Sequence, residues 1–189
     1  MNERDLLVDC LRRLNRLDIP YMLTGSMASN FWGVPRTTHD LDFVVHFPRE
    51  SAAAVAGAFE DGYFIDESAV REPTTSPPMF NAIDRRSALK VDFWFLRSEA
   101  FEQNMFKRRR KESLFGETAW ITTAEDVILH KLYWNRITPS DRQLGDAAGV
   151  VAVQAEALDR SYLEKWAVEL GVRDALEDLL SGRIGPKTT

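Results

Sequence analysis

Three aspartates and one glycine–serine pair stand out as residues that could do chemistry. Asp40 and Asp42 flank a single leucine in THDLDFVVHF, and Asp92 sits in LKVDFWFL, where Lys90 is the only other charge. Short apolar runs bounded by glycine and small polar residues read as buried strands. Side chains alternate along a strand, so Asp40 and Asp42 share one face, roughly 6–7 Å apart along the chain. Leu41, Phe43 and Val45 take the other face, toward a core. Side-by-side carboxylates repel unless a positive charge sits between them. Hard divalent cations such as Mg²⁺ bind through one or two carboxylates together with substrate phosphates.

Gly25-Ser26 lies where the apolar run Ile19–Leu23 should give way to a helix. Glycine permits a tight turn and a close backbone approach, and serine can cap a helix. A helix N-terminus offers unpaired N–H groups and the positive end of a dipole to a phosphate. A phosphate cradle followed by metal carboxylates is the arrangement that phosphoryl transfer needs.

These residues resemble the signature of the polymerase-β-like nucleotidyltransferase superfamily: a hydrophobic residue before Gly25-Ser26, then Asp40-Leu41-Asp42. The resemblance implies that Gly25 and Ser26 hold the triphosphate of a nucleotide. It also implies that Asp40 and Asp42 bind two Mg²⁺ ions, and that a third acid on a neighbouring strand completes the metal site and orients the attacking hydroxyl. Asp92 is the matching position. On its residues alone, Asp92 has another reading, a structural ion pair with Lys90 or an arginine. A second stretch carries the likeness further. AEDVILHKL at 124–132 followed by SDRQLGD at 140–146 is similar to the C-terminal signature of AbiEii-like nucleotidyltransferases, a group that includes toxins of toxin–antitoxin pairs. There a helical lysine contacts nucleotide phosphates and an acid one helix later belongs to the site, which points to Lys131 and Asp146. The basic residue and aspartate expected before that acid are only loosely present as Asp141-Arg142.

The elements that must position these groups follow from periodicity and breakers. Residues 2–17 form an amphipathic helix with Leu6, Leu7, Cys10, Leu11 and Leu14 on one face. A short helix runs from Ser26 to Phe31, and 33–39 is a loop that carries Arg36 and His39. Arg36 suits a nucleotide phosphate, with a solvated loop arginine as the equal alternative. Neither His39 nor His46 has a partner at zinc spacing. A helix over 48–61 with Val55, Ala58 and Phe59 inward, a strand at 63–65, a loop over 71–78, and strands at 79–83 and 89–96 come next. A helix over 101–110 ends in the cations of 107–111, read either as a solvated face or as a polynucleotide anchor. A hairpin then turns at Gly116-Glu117. The last third is helical, with Thr123–Asp126 and Ser140–Gln143 resembling capping boxes. Lys131 falls within an apolar arc, either snorkelling or facing an anion. Another helix is capped at Ser161–Glu164, a short one carries Leu176, Leu179 and Leu180, and the tail 182–189 is frayed.

The expected fold class is therefore α+β: a small mixed sheet flanked by helices over 1–121, the nucleotidyltransferase core, then a helical subdomain over 122–189. The 189 residues, 44% hydrophobic and 28% charged, fit a soluble globular protein. No apolar stretch is long enough to cross a bilayer and the N-terminus lacks a signal-peptide apolar region, so no membrane partner and a cytoplasmic location are expected. Cys10 alone excludes an internal disulfide framework, and its helical spacing predicts a buried, inert thiol. With 24 Lys and Arg against 29 Asp and Glu, a broad nucleic-acid-binding face is excluded, and any such contact must be a local patch.

The functional expectation is a Mg²⁺-dependent nucleotidyltransferase that uses a nucleoside triphosphate. Its acceptor is an RNA end, a protein or a small molecule, and the resemblance to toxins implies an antitoxin as a candidate partner. A non-catalytic nucleotide-binding or partner-binding module on the same fold is the alternative. Retention of all three acids favours catalysis.

Overall fold

The aromatic residues of four strands decide the register of the sheet. In the computed structural model, which describes residues 2–186, seven strands form one mixed sheet in the order β3-β4-β5-β2-β1-β7-β6. They are β1 (Tyr21–Leu23), β2 (Leu41–Val45), β3 (Tyr63–Ile65), β4 (Met79–Asp84), β5 (Lys90–Phe95), β6 (Arg110–Leu114) and β7 (Glu117–Ile121). Phe43 of β2 stacks on Phe93 of β5 with centroids 5.6 Å apart, and Phe93 stacks on Phe80 of β4 at 4.9 Å. Tyr21 of β1 meets Phe43 edge-on at 5.8 Å. Phe43 and Phe93 are fully buried. A slip of one residue would turn this aromatic row out to the opposite face, so the row pins the register. Asp42 and Asp92 are consequently fixed as neighbours on the other face.

The chain divides into two compact units, one of residues 1–25 and 39–121, the other of residues 26–38 and 122–189. Residues 26–38 group with the helices that follow Ile121. The first unit holds the sheet with α1 (Glu3–Arg16), α3 (Ala52–Glu60), α4 (Glu67–Arg71) and α5 (Ala100–Arg108). The second holds α6 (Ala124–Ile137), α7 (Asp141–Gln154), α8 (Arg160–Glu169) and α9 (Arg173–Leu180), with all but the first residue of α2 (Gly25–Trp32). No helix among the described residues is long and apolar enough to cross a membrane.

Helix α1 buries the predicted face, Leu6, Leu7, Cys10, Leu11 and Leu14. Burial pushes the Cys10 thiol up to about 12, which leaves it protonated and inert. Several boundaries differ from expectation. A 3-10 turn at Arg49–Ser51 precedes α3, which buries Ala52 and Ala56 with Val55 and Phe59. The stretch before the 72–78 loop contains α4, capped by Asp66, whose side chain accepts from the Ser68 N–H. Ser140 precedes α7 without a side-chain capping bond; its own N–H donates to Asn135 Oδ1 at 2.8 Å. The third C-terminal helix is capped by Asp159 rather than Ser161, since Asp159 accepts from the Tyr162 N–H at 2.9 Å. Asp is as good an N-cap as Ser, and the helix starts one residue before Ser161. Of the expected frayed tail, 187–189 lies outside the described residues.

The basic run does not form one helical face. Helix α5 ends at Arg108 and β6 begins at Arg110, paired with Ile121 across the hairpin. Arg109, between them, stacks over Phe106 at 4.1 Å and over Trp120 at 5.1 Å. Its Nη1 also donates to the Phe106 carbonyl. Arg110 pairs with Glu112. Arg109 is thus a packing residue, and cation–π contacts of this partly buried kind contribute about 1–2 kcal/mol. Arg109→Ala should lower the melting temperature by about 2–8 °C, while Lys107→Ala leaves it unchanged; thermal unfolding of the two variants tests this.

Candidate active site

The first cluster forms on the non-aromatic face of β2 and β5. These strands pair in parallel with Asp42 opposite Asp92, so two carboxylates stand side by side across a ladder, where like charges repel. Each is held by a different cationic or N–H group. Lys90 Nζ donates to Asp92 Oδ2 at 2.7 Å, and Trp94 Nε1 donates to Asp42 Oδ1 at 3.2 Å. Lys90, Asp92 and Trp94 occupy alternate positions of β5, so all three lie on one face. The ion pair read as the alternative for Asp92 is therefore formed, yet it satisfies only half of that carboxylate. Asp92 Oδ1 is buried and has no hydrogen-bond partner. A buried lone oxygen of an ionised carboxylate is costly.

Gly25 closes on the same pair. Its φ is +62°, a left-handed conformation that side chains disfavour. A β-carbon at this position would lie 2.2 Å from Asp42 Oδ2. Both demands explain glycine at 25: the backbone turn from β1 into α2 passes directly against a carboxylate oxygen. Strain of this type amounts to roughly 1–3 kcal/mol, so Gly25→Ala should lower the melting temperature by about 2–12 °C and displace the Asp42 carboxylate. Calorimetry of the variant measures the first effect.

Asp40 is exposed and lies just before β2. Among the described residues, no group of three or more His, Cys, Asp and Glu side chains is placed to hold a metal ion. The donor set that β2 and β5 bring together is the pair Asp42 and Asp92. That pair fits Mg²⁺, an oxygen-seeking ion that keeps several waters and takes one or two protein carboxylates with substrate phosphates. The orphaned Asp92 Oδ1 and the space that only glycine leaves beside Asp42 Oδ2 support the fit. His39 pairs with Glu3 at 2.5 Å instead of joining the acids.

The second cluster belongs to the helical unit. Asn30 clamps the 33–39 loop, donating from Nδ2 to the Arg36 carbonyl at 2.7 Å and accepting from the Arg36 N–H at 3.0 Å. Gly33 allows the loop to approach α7, since a β-carbon there would lie 2.6 Å from the Val150 nitrogen. Arg36 so placed grips Asp146 with two bonds, Nε to Oδ1 at 2.6 Å and Nη2 to Oδ2 at 2.8 Å. Its Nη2 also donates to Ser26 Oγ at 2.8 Å. Lys131 reaches across from α6 to Asp146 Oδ2 at 2.8 Å. Asp146 and Lys131 are both buried.

Of the two readings open for Lys131, an anionic partner is the one realised, and Arg36 is not a solvated loop residue. Burial alone would raise the Asp146 carboxyl. The Arg36 hydrogen bond and the Lys131 charge and hydrogen bond outweigh it and hold the group below the usual carboxylate range. An open cavity of about 1060 Å³ within this unit is lined by Val34, Pro35, Arg36 and the α6–α7 connection through Asp146. Ser26, Arg36, Lys131 and Asp146 thus form one bonded cluster, while Gly25, Asp42 and Asp92 form another.

Sequence reasoning missed Trp94 as the partner of Asp42. The signal was present in the i, i+2 spacing of Asp92 and Trp94, but only the β2–β5 pairing showed which carboxylate the indole would meet.

The fold of this chain is shared with solved structures of nucleotidyltransferases. No protein-family model matches the chain, and no curated protein matches it in sequence. Solved structures do match. The antibiotic-resistance factor ANT(2'')-Ia superposes with a TM-score of 0.59 at 15% identity, covering 95% of this chain and 96% of that one. Its complex with adenylyl-2''-tobramycin gives 0.61 at 15% identity, covering 92% and 99%. An antigenic nucleotidyltransferase-like protein from Paracoccidioides brasiliensis gives 0.59 at 15% identity, covering 98% and 94%. At such identity the likeness is one of fold.

Proposed function

We propose that this chain is a Mg²⁺-dependent nucleotidyltransferase that moves a nucleoside monophosphate from a nucleoside triphosphate to a hydroxyl acceptor. The observation that carries the reading is the in-register pair Asp42 and Asp92 beside the left-handed Gly25, in a fold shared with nucleotidyltransferases. The acceptor oxygen forms a bond to the α-phosphorus, the bond to pyrophosphate breaks, and the hydroxyl proton leaves. Bound Mg²⁺ supplies Lewis-acid polarisation of the phosphate oxygens. Asp42 and Asp92 are the residues that would hold it; Asp40, the exposed acid just before β2, is the third carboxylate that the resemblance assigns. Asp92, buried on one oxygen, also orients the acceptor hydroxyl. Gly25 admits close approach at the turn, and Ser26, Arg36 and Lys131 carry the donors for nucleotide phosphates, with Asp146 holding the two cations in place. The protein's work is positioning and charge neutralisation.

For the acceptor, a small polyhydroxylated cation is the class best supported. The net charge of −5 suits it, the basic run is partly consumed in packing and pairing, and a protein of this fold was captured with an adenylylated aminoglycoside, adenylyl-2''-tobramycin. An RNA end or a protein acceptor, with an antitoxin as partner, is the toxin-type version of the same chemistry and rests on the 124–146 signature alone. The test offers the protein each α-labelled nucleoside triphosphate with Mg²⁺ and, separately, an aminoglycoside panel, a total-RNA pool and a protein extract. Label on an aminoglycoside supports the small-molecule reading, label on RNA or protein supports the toxin-type one, and absence of both transfer and nucleotide binding refutes the enzyme.

A further inference from the structure

The Lys90–Asp92 ion pair is not needed by the chemistry above and works against it. Lys90 Nζ lies 2.7 Å from Asp92 Oδ2, one of the oxygens that a divalent cation would take. The lysine side chain is 49% exposed against 15% for the aspartate, so the ammonium can leave for water on its flexible stem while the carboxylate stays. An ion pair held on one side by solvent is weak. Without a divalent cation, though, Lys90 is the positive charge that relieves the repulsion between Asp92 and its cross-strand neighbour Asp42.

We propose that Lys90 is a built-in counter-ion that competes with the divalent cation for Asp92 and sets how tightly the carboxylate pair binds it. The inference rests on the metal role of Asp42 and Asp92. It makes Lys90 a positioning residue: with the ion absent it holds Asp92 Oδ2 and leaves Oδ1 as the unpartnered oxygen, and ion binding expels it. A charge so close to a second cation's site lowers affinity by Coulomb repulsion as well as by occupying the oxygen.

The test measures binding, not turnover. Mn²⁺ replaces Mg²⁺ as a paramagnetic probe, and free Mn²⁺ is followed by electron paramagnetic resonance as the full chain is titrated without nucleotide. Lys90→Met, which keeps the stem and removes the charge, should bind Mn²⁺ about three- to tenfold more tightly than wild type, and Lys90→Gln should agree. Lys90→Arg, which keeps the charge, should stay within about twofold, and added salt should shrink the difference. Equal or weaker binding by both Lys90→Met and Lys90→Gln, with wild type binding normally, overturns the counter-ion alone. If neither wild type nor the Lys90 variants bind Mn²⁺, the metal reading fails and this inference goes with it. Mn²⁺ that binds undiminished after Asp42→Asn lies elsewhere and overturns both.

Discussion

Asp42→Asn is expected to reduce nucleotidyl transfer by about 10³-fold, equivalent to about 4 kcal/mol of barrier, while the melting temperature stays within a few degrees of wild type. The two effects separate because asparagine keeps the shape of the side chain and an oxygen that can accept from Trp94 Nε1. Removing the charge also relieves repulsion with Asp92, its partner across β2 and β5. What asparagine cannot do is present two anionic oxygens to a hard cation, and a metal that stabilises phosphoryl charge is worth several kcal/mol. Steady-state kinetics with labelled nucleotide, beside a thermal melt of the same sample, reads both. Transfer at the wild-type rate removes Asp42 from the chemistry. A collapse of stability with activity would mean that its role is structural.

Asp146→Ala should be the most damaging substitution for stability, about 3–5 kcal/mol, the usual cost of removing one partner from a buried ion pair. For a chain of this size that is about 6–20 °C in melting temperature. The reason is that one carboxylate serves two cations. Without it, Lys131, only 9% exposed in its side chain, and Arg36, 18% exposed, lose their shared anion, and Arg36 loses the carboxylate that aims its Nη2 at Ser26 Oγ.

The pH dependence follows from the direction of the Asp146 shift. Its carboxyl is held below the ordinary value of 3.8 in the folded protein, so its contribution is fully present above that value. It is lost as pH falls through the lower folded value, when the unfolded chain binds the proton first. Wild type should therefore lose stability with falling pH below about 4 more steeply than Asp146→Ala. Urea denaturation at pH 3, 4 and 7 would show it as a gap between the proteins that narrows toward acid. A gap independent of pH would contradict the charge network.

The local chemistry was legible in the residues themselves. Alternation placed Asp42 opposite to Phe43 and Val45, a single glycine before a serine marked the turn from strand to helix, and Thr123 with Asp126 announced the start of α6. Lys131 inside an apolar arc already asked for an anion. These are consequences of side-chain period and capping, which act within a few residues.

Partners distant in sequence were another matter. That Asp42 stands beside Asp92 rather than merely resembling it depends on a parallel pairing between segments 50 residues apart, held by the Phe43–Phe93–Phe80 stack. That Asp146 gathers Arg36 and Lys131 depends on a loop and two helices brought together by packing. The basic run shows the same division: its charges are plain in the sequence, but the bend at Arg109 and its stacking on Trp120 come from the β6–β7 hairpin. Residue types and their local period were enough to say which groups could carry charge and which face of each element they would take. Which charges meet was settled by packing, because long-range contacts are chosen by the fit of apolar surfaces that no local pattern encodes.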